Sequence, residues 1–424
     1  MASMTLAGLA YLLAVREFFR GRGARATPTF PRRVVVIGLV LAAVWHIAFL
    51  RLPPGPDDDI HRYVWDGRLQ RLGYNPYLVV PSDPAVKALH TAETRSMNNP
   101  DLTSPYPAGA QLFFRAVTAI HESVLAFKVA FVICDLAIVF VLFDVLRRNQ
   151  RGAHLVLAYA WNPLLAIEVA GSGHIDIVGA LLLLMSLAAL ARRWRMIAAV
   201  SFGLAVVVKF LPIALLPLYW KRVRLRDAAL AALLAGLCYV PFLDHGRIPM
   251  GSIGTYVQTF RFNGPLFAAL AHVAPPQLLA ALAVFVGLMT ATWLRSAAPE
   301  TLTAENTELH RRSTVASPLG NPVSTAVPAF AFAWPMAASL LCAPVVFPWY
   351  LLWLLPFVTS ASTLPIIIWT VSIIPTYVMW HFRTLGRPWG ALPGWVMLVE
   401  YGCLAIGAVI MAWRRLMGRS EVVN

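Results

Sequence analysis

Apolar runs of membrane-crossing length, parted by short arginine-rich stretches, constrain this chain more than any other feature. Residues 34–52, 124–146, 328–347, 364–380 and 395–413 are such runs, and 147–151, 192–195, 221–226 and 414–415 carry the basic residues. In hydrocarbon every backbone N–H and C=O must be paired within the segment or within a closed barrel. Runs of ~20 residues without strand alternation therefore become helices. Composition agrees: of 424 residues 59% are hydrophobic and 13% charged, with mean hydropathy +0.67. That is an all-α polytopic membrane protein. Lys and Arg number 35 against 20 Asp and Glu, a formal +15. On such a chain the excess sits in cytoplasmic loops and sets orientation, so nucleic acid is not an expected partner. Cys134, Cys238, Cys342 and Cys403 lie in or beside apolar runs with no C-x-x-C pair, and read as small core hydrophobes.

With the basic stretches placed inside, the chain can be followed. Residues 4–15 are short for a span and suit an interfacial helix, a tilted span or part of an uncleaved signal. Residues 16–33 are basic and cytoplasmic, and 34–52 carries the chain out. The stretch 53–123 is polar and rich in Pro, Tyr and Asn, yet holds a helical pattern near residue 60 and an apolar segment, 108–120, suited to the outer leaflet. Residues 196–219 lie between two basic loops and can go out and back only as two short helices broken at Lys209-Phe210-Leu211-Pro212. Residues 295–327, rich in Ser, Thr, Glu, Pro and Arg, suggest a flexible cytoplasmic linker. Residues 328–347 go out, turn at Pro348-Trp349-Tyr350, and 351–359 come back. Counted at ~20 residues each, the runs make about 12 to 13 helices.

Three consecutive aspartates, Asp57, Asp58 and Asp59, follow the first long run. Each charge must stay hydrated or find a partner, and packing alone does not call for three at the mouth of an apolar helix. Asp58 or Asp59 is placed either as an N-cap or as a base. Arg62 can hold a phosphate or sugar, or pair locally with Asp66. His174 and Asp176 make a polar turn that can contact substrate or simply cap a helix. Lys209 is costly in an apolar context unless paired, which suits a phosphate partner or snorkelling to an interface. Arg261 and Asn263 are further candidates for substrate contact. Trp349 and Tyr350 belong to an interfacial aromatic belt or serve as sugar platforms, and Glu168 reads as an intramembrane hydrogen-bond partner. A divalent metal at the aspartates is conceivable but not required, since Mg²⁺ and Ca²⁺ prefer spaced oxygens; no cofactor is expected.

All these groups fall on the outer side of the topology. No nucleotide sugar is available there, and the chain has no Gly-rich loop to cradle one. An activated sugar must arrive on a lipid. A carboxylate base beside a cationic phosphate clamp suits attack by a hydroxyl on a sugar carried by polyprenyl phosphate.

The stretch Asp-Asp-Asp-Ile-His-Arg-Tyr-Val-Trp-Asp-Gly-Arg-Leu-Gln-Arg-Leu-Gly-Tyr-Asn-Pro-Tyr, residues 57–77, resembles the first outer loop of bacterial GT-C membrane glycosyltransferases. The nearest groups are polyprenol-phosphate-mannose-dependent mannosyltransferase-like proteins, related to glycosyltransferase family 87 and to the GPI mannosyltransferase I type. Further similarities run in order: Pro105-Tyr106-Pro107, Trp161-Asn162-Pro163 with Glu168 and residues 171–176, Lys209-Phe210-Leu211-Pro212, Phe262-Asn263-Gly264, Pro348-Trp349-Tyr350 and Glu400-Tyr401. Pro-Ala-Gly follows Tyr106 where the pattern has a second Pro. The resemblance implies an inverting transfer from a lipid-phosphate sugar, with Asp59 or Asp58 as the base.

The expectation is a GT-C-like hexosyltransferase that moves one sugar, mannose or a related hexose, from polyprenyl phosphate to an envelope lipid or glycan. It would work on the outer face of a bacterial inner membrane. A lipid transporter or flippase is the alternative. It would show related halves with polar residues near midplane, whereas here the charges crowd one face. The expected organisation is an N-terminal segment 1–33, a catalytic membrane module 34–294 with the outer loop 53–123, the linker 295–327 and C-terminal helices 328–424.

Overall fold

The computed structural model describes residues 2–19, 30–54, 59–310, 328–387 and 390–420. The described chain is helical, with isolated bridges in place of sheet. α1 (Ala2–Phe18) buries Tyr11, Val15 and Phe18, and the Tyr11 hydroxyl donates to the Ala158 carbonyl at 2.6 Å. α2 (Arg32–Leu50) starts after Pro31 and buries one narrow stripe, Val35, Gly38, Ala42 and His46. Its Val36, Ile37, Val40 and Val44 stand exposed, as a helix facing lipid requires.

α3 (Ile60–Arg71) is buried on every face although it lies outside the long runs. α4 (Ala108–Ile120) packs beside it through Phe114, which stacks on Tyr63 with ring centres 4.5 Å apart. α5 (Val124–Arg148) is capped by Ser123, whose side chain accepts from the Ala126 N–H. α6 (Val156–Ala160) meets Trp161-Asn162-Pro163 and bends 65° into a π-helical stretch, Leu165–Gly171. Asn162 makes the bend tolerable: its Oδ1 accepts from the Leu164 N–H and its Nδ2 donates to Thr370 Oγ1. α7 (Asp176–Ala191) and α8 (Arg195–Val208) follow.

The expected break after α8 is present. Lys209 is extended, 3₁₀ turns run over Leu211–Leu215, and α9 (Leu216–Tyr219) ends the excursion. Then come α10 (Leu225–Leu237), α11 (Ile253–Thr259), α12 (Pro265–Leu270), α13 (Pro276–His310) and α14 (Phe330–Leu341). The segment 295–327, read as a flexible linker, is helical as far as His310, and 311–327 lies outside the described residues. Its Ala, Glu and Leu content is good helix material, and α13 simply runs on. Residues 351–359, read as a returning span, are instead 3₁₀ turns, Pro348–Trp353 and Leu355–Phe357, fully buried in protein. Two prolines stop an α-helix there, and irregular backbone at that depth survives only when protein surrounds it. α15 (Leu364–Ser372), α16 (Val378–Thr384) and α17 (Gly394–Ser420) complete the chain.

Among the described residues six helices are long and apolar enough to cross a membrane: Arg32–Leu50, Val124–Arg148, Leu225–Phe242, Pro276–Ser296, Ala361–Thr384 and Gly394–Trp413. The bent pair Ala153–Ala160 with Leu165–Gly171 makes a seventh. The remaining apolar segments, α4, α7, α8 and α14, are shorter. The chain is thus an all-α, multi-pass membrane protein whose broken and short helices are wrapped by longer ones.

Candidate active site

Asp59 stands at the N-cap position of α3, but its side chain makes no cap hydrogen bond. Its backbone is already helical, φ −60° and ψ −23°, so the carboxylate points away from the first-turn amides. Asn98 Nδ2 donates to Oδ1 at 2.7 Å, and the Tyr106 hydroxyl is paired with the same carboxylate. Burial, then the charge of Asp59, pushes the Tyr106 phenol well above its ordinary range, so it stays a donor. The carboxylate keeps 18% of its side chain exposed.

The loop between the π-helical stretch and α7 covers this carboxylate. Gly173 sits at φ +80°, and a Cβ there would come within 2.5 Å of Ile60 Cδ1. Only glycine allows both the left-handed backbone and the close approach. The next residue, His174, is buried and lies flat on Trp349, ring centres 4.0 Å apart and planes 8° from parallel. Its Nδ1 is 3.9 Å from Asp59 Oδ2 and its Nε2 is 3.0 Å from Glu168 Oε2. Glu168 in turn accepts from the Tyr377 hydroxyl.

Asp176 opens α7 and is buried. Lys209 Nζ donates to its Oδ1 at 2.6 Å and Trp353 Nε1 at 2.7 Å, while Oδ2 is buried with no hydrogen-bond partner. The break after α8 is what brings Lys209 here. Its ammonium also lies 3.7 Å from the centre of the Tyr350 ring, a cation–π contact. Tyr350 and Tyr256 share a 2.5 Å hydrogen bond between hydroxyls. Burial and then the charges of both Asp59 and Asp176 raise the Tyr63 and Tyr256 phenols, which puts the two carboxylates around one volume.

Asp59, His174, Asp176, Lys209 and Tyr350 are therefore drawn together. Trp349 and Tyr350 line this cluster rather than a lipid-facing belt. Asp57 and Asp58 lie outside the described residues. Arg62 is turned the other way: Nε meets Asp66 Oδ1 at 3.1 Å, and the remaining nitrogens reach the carbonyls of Asn99 and Leu102. The local pairing is the one the structure adopts. Arg261 is exposed and donates to the carbonyls of Val257, Gln258 and Phe260, closing the end of α11. Asn263, at φ +56°, is buried and clamps Glu400 with Nδ2 at 2.9 and 3.1 Å. Trp369 Nε1 donates to the same Glu400, and Tyr401 donates to the Asn263 carbonyl. This joins two of the ordered motifs in a knot of its own.

Sequence reasoning missed Asn98, Tyr256, Trp353 and Lys128 as members of the site region. Lys128 is buried on α5, donates to the Leu52 carbonyl at 2.6 Å and lies beside Gly173. A lone lysine inside an apolar run was its available signal. Asn98 carried none, because only folding brings the 94–104 loop onto the start of α3.

Residues 1–223 match the family described as alpha-(1->6)-mannopyranosyltransferase, N-terminal domain. The chain belongs to this MptA_B family. It is a membrane glycosyltransferase, in keeping with the GT-C resemblance of its motifs. The matched part holds Asp59, Glu168, His174, Asp176 and Lys209. No curated protein matches the chain. Among solved structures, ArnT from Cupriavidus metallidurans, crystallised bound to undecaprenyl phosphate, is similar with a TM-score of 0.47 and 14% identity, covering 92% of this chain and 73% of that one.

Proposed function

We propose that this glycosyltransferase moves a mannosyl residue from polyprenyl phosphate to a hydroxyl of an envelope lipid or glycan, with inversion, on the outer face of a bacterial inner membrane. One observation carries the reading: Asp59, at a helix start, leaves its capping duty undone and is held by Asn98 and Tyr106 with part of its carboxylate open. Asp59 takes the acceptor proton as the new bond to C1 forms and the bond from C1 to the phosphate oxygen breaks. The electron pair of that bond leaves on the lipid phosphate. Lys209 receives the phosphate. One of its three N–H donors is engaged by Asp176, which Trp353 orients, and the others are the donors it would offer the phosphate. Tyr350 supports the ammonium from below. Asp58, the neighbour of Asp59 in sequence, is the other candidate for the base. Arg62, Arg261 and Asn263 are assigned to holding the fold.

The family description supports mannose, and the undecaprenyl phosphate held by the ArnT structure fits the same class of carrier. The length of α5 supports the outer face. Lys128 marks its site end. At its other end Asp144 gathers Arg148 and Arg192, joining the basic stretches 147–151 and 192–195. Sixteen helical residues separate these ends by ~24 Å, most of the hydrocarbon thickness, which supports a site on the side away from a cytoplasmic basic end.

Membranes holding the wild-type chain, supplied with labelled polyprenyl-phosphate mannose, should transfer label to an envelope fraction, and Asp59→Asn should stop it. Transfer unchanged in Asp59→Asn would remove the base. An Asn98→Cys variant labelled only by reagents reaching the cytoplasm would reverse the face.

A further inference from the structure

We infer that His174 is the proton acceptor behind the base: after Asp59 takes the acceptor proton, it hands it to His174 Nδ1, and Glu168 holds the imidazolium that forms. This rests on the assignment of Asp59 made above. It departs from the expectation that His174 contacts substrate or caps a helix.

The imidazole lies between two carboxylates: Nδ1 is 3.9 Å from Asp59 Oδ2 and Nε2 is 3.0 Å from Glu168 Oε2. The Asp59 gap is about 1 Å longer than a hydrogen bond and must close with substrate bound, as catalytic contacts do on forming the Michaelis complex. The ring cannot swing toward a phosphate without leaving Trp349, on which it lies. Tyr377 fixes the far carboxylate by donating to its other oxygen. Glu168 reaches this place because the 65° bend and the π-helical stretch shift its side chain out of ordinary register, a distortion often found at functional sites.

The chemistry supplies a reason. An alcohol proton accepted by a carboxylate alone sits on a weak base. Imidazole holds a proton more tightly than a carboxylate by about 2–3 pH units in water, so passing it on draws the transfer forward. The balance is closed: the acceptor loses H⁺ to Asp59, the sugar carbon exchanges phosphate oxygen for acceptor oxygen, and the proton moves from Asp59 to Nδ1. It returns to water through the partly exposed Asp59 when product departs. The titratable groups beside the imidazole are Asp59 from α3 and Glu168 from the bent stretch; Asp176, two residues on, is engaged by Lys209, and Lys128 from α5 lies beside Gly173. Tyr63 and Tyr106 border Asp59 itself.

The test measures label transfer from polyprenyl-phosphate mannose to the envelope membrane fraction, with apparent kcat and donor KM across pH. His174→Gln should lower kcat about a hundredfold and leave donor KM within about twofold, the signature of lost proton transfer rather than lost binding. Added imidazoles should rescue His174→Ala in order of their basicity, which a packing role would not produce. Glu168→Gln keeps the side-chain shape and guards against misfolding; it should lower kcat about tenfold at unchanged KM. A rise in donor KM with kcat kept in His174→Gln, or rescue blind to basicity, overturns the proposal. Loss of activity in Asp59→Asn with wild-type kcat in His174→Gln sinks the relay alone. Activity kept in Asp59→Asn sinks the function on which it rests.

Discussion

Two carboxylates on one helix are held in opposite ways. Asp66, in the middle of α3, is 0% exposed and accepts from Arg62 Nε, Ser104 Oγ at 2.5 Å and Gln111 Nε2 at 2.8 Å. Gln70 closes the set by donating to Gln111. Asp59, at the start of the same helix, has fewer partners and some access to the exterior. A buried carboxylate with both oxygens hydrogen-bonded suits a structural part, because a ligand must compete with its partners. One that is steadied on one oxygen and faced by an imidazole on the other keeps room to work. Residue type and spacing do not separate the two; the satisfaction of their lone pairs does.

The largest effect expected from this contrast is on turnover. Asp59→Asn keeps the Asn98 contact nearly isosteric, and kcat should fall by about 10³ with melting temperature unchanged, the range of a lost general base. An equal loss in Asp66→Asn at full stability would break the comparison. Asp66→Asn is expected instead to strand the buried Arg62, costing about 3 kcal/mol of stability, read as an earlier thermal melt in detergent. Lys209→Met removes a charge-assisted contact to the donor phosphate and should raise donor KM about tenfold or more. Gly173→Ala strains a left-handed residue and presses on Ile60, for about 1–2 kcal/mol. Its activity loss should exceed its stability loss, since the same loop carries His174.

The smallest effect is on pH. Burial raises the Asp66 carboxyl, with Arg62, Ser104 and Gln111 pulling it back. The folded chain therefore holds this proton more tightly than the unfolded one. That contribution to stability is complete below the ordinary carboxylate range and is lost as pH rises through the folded value. Melting temperature across that window should lose part of its slope in Asp66→Asn.

The long runs and the break at Lys209 were legible in the sequence. Each follows from local chemistry: apolar length and a proline. The partners of Arg62, Arg261 and Asn263 were not. An arginine four residues before an aspartate can pair or bind substrate with equal local sense. Only the 97–102 loop, folding over α3 with its carbonyls, decides between them. Nor could the sequence tell that 351–359 packs as buried 3₁₀ turns, since a membrane run and a protein core are equally apolar.

By itself the sequence determined the medium and the class: a chain so apolar, with its backbone bound to pair internally, becomes a bundle of helices crossing a bilayer. Tertiary structure alone decided which polar side chains meet. Asp59, His174, Glu168, Asp176 and Lys209 come from five separate segments, and their distances are set by helix breaks and close packing rather than by spacing along the chain. Short-range rules fix the helices, but the electrostatics of a site act through space, and space is allotted only when the helices pack.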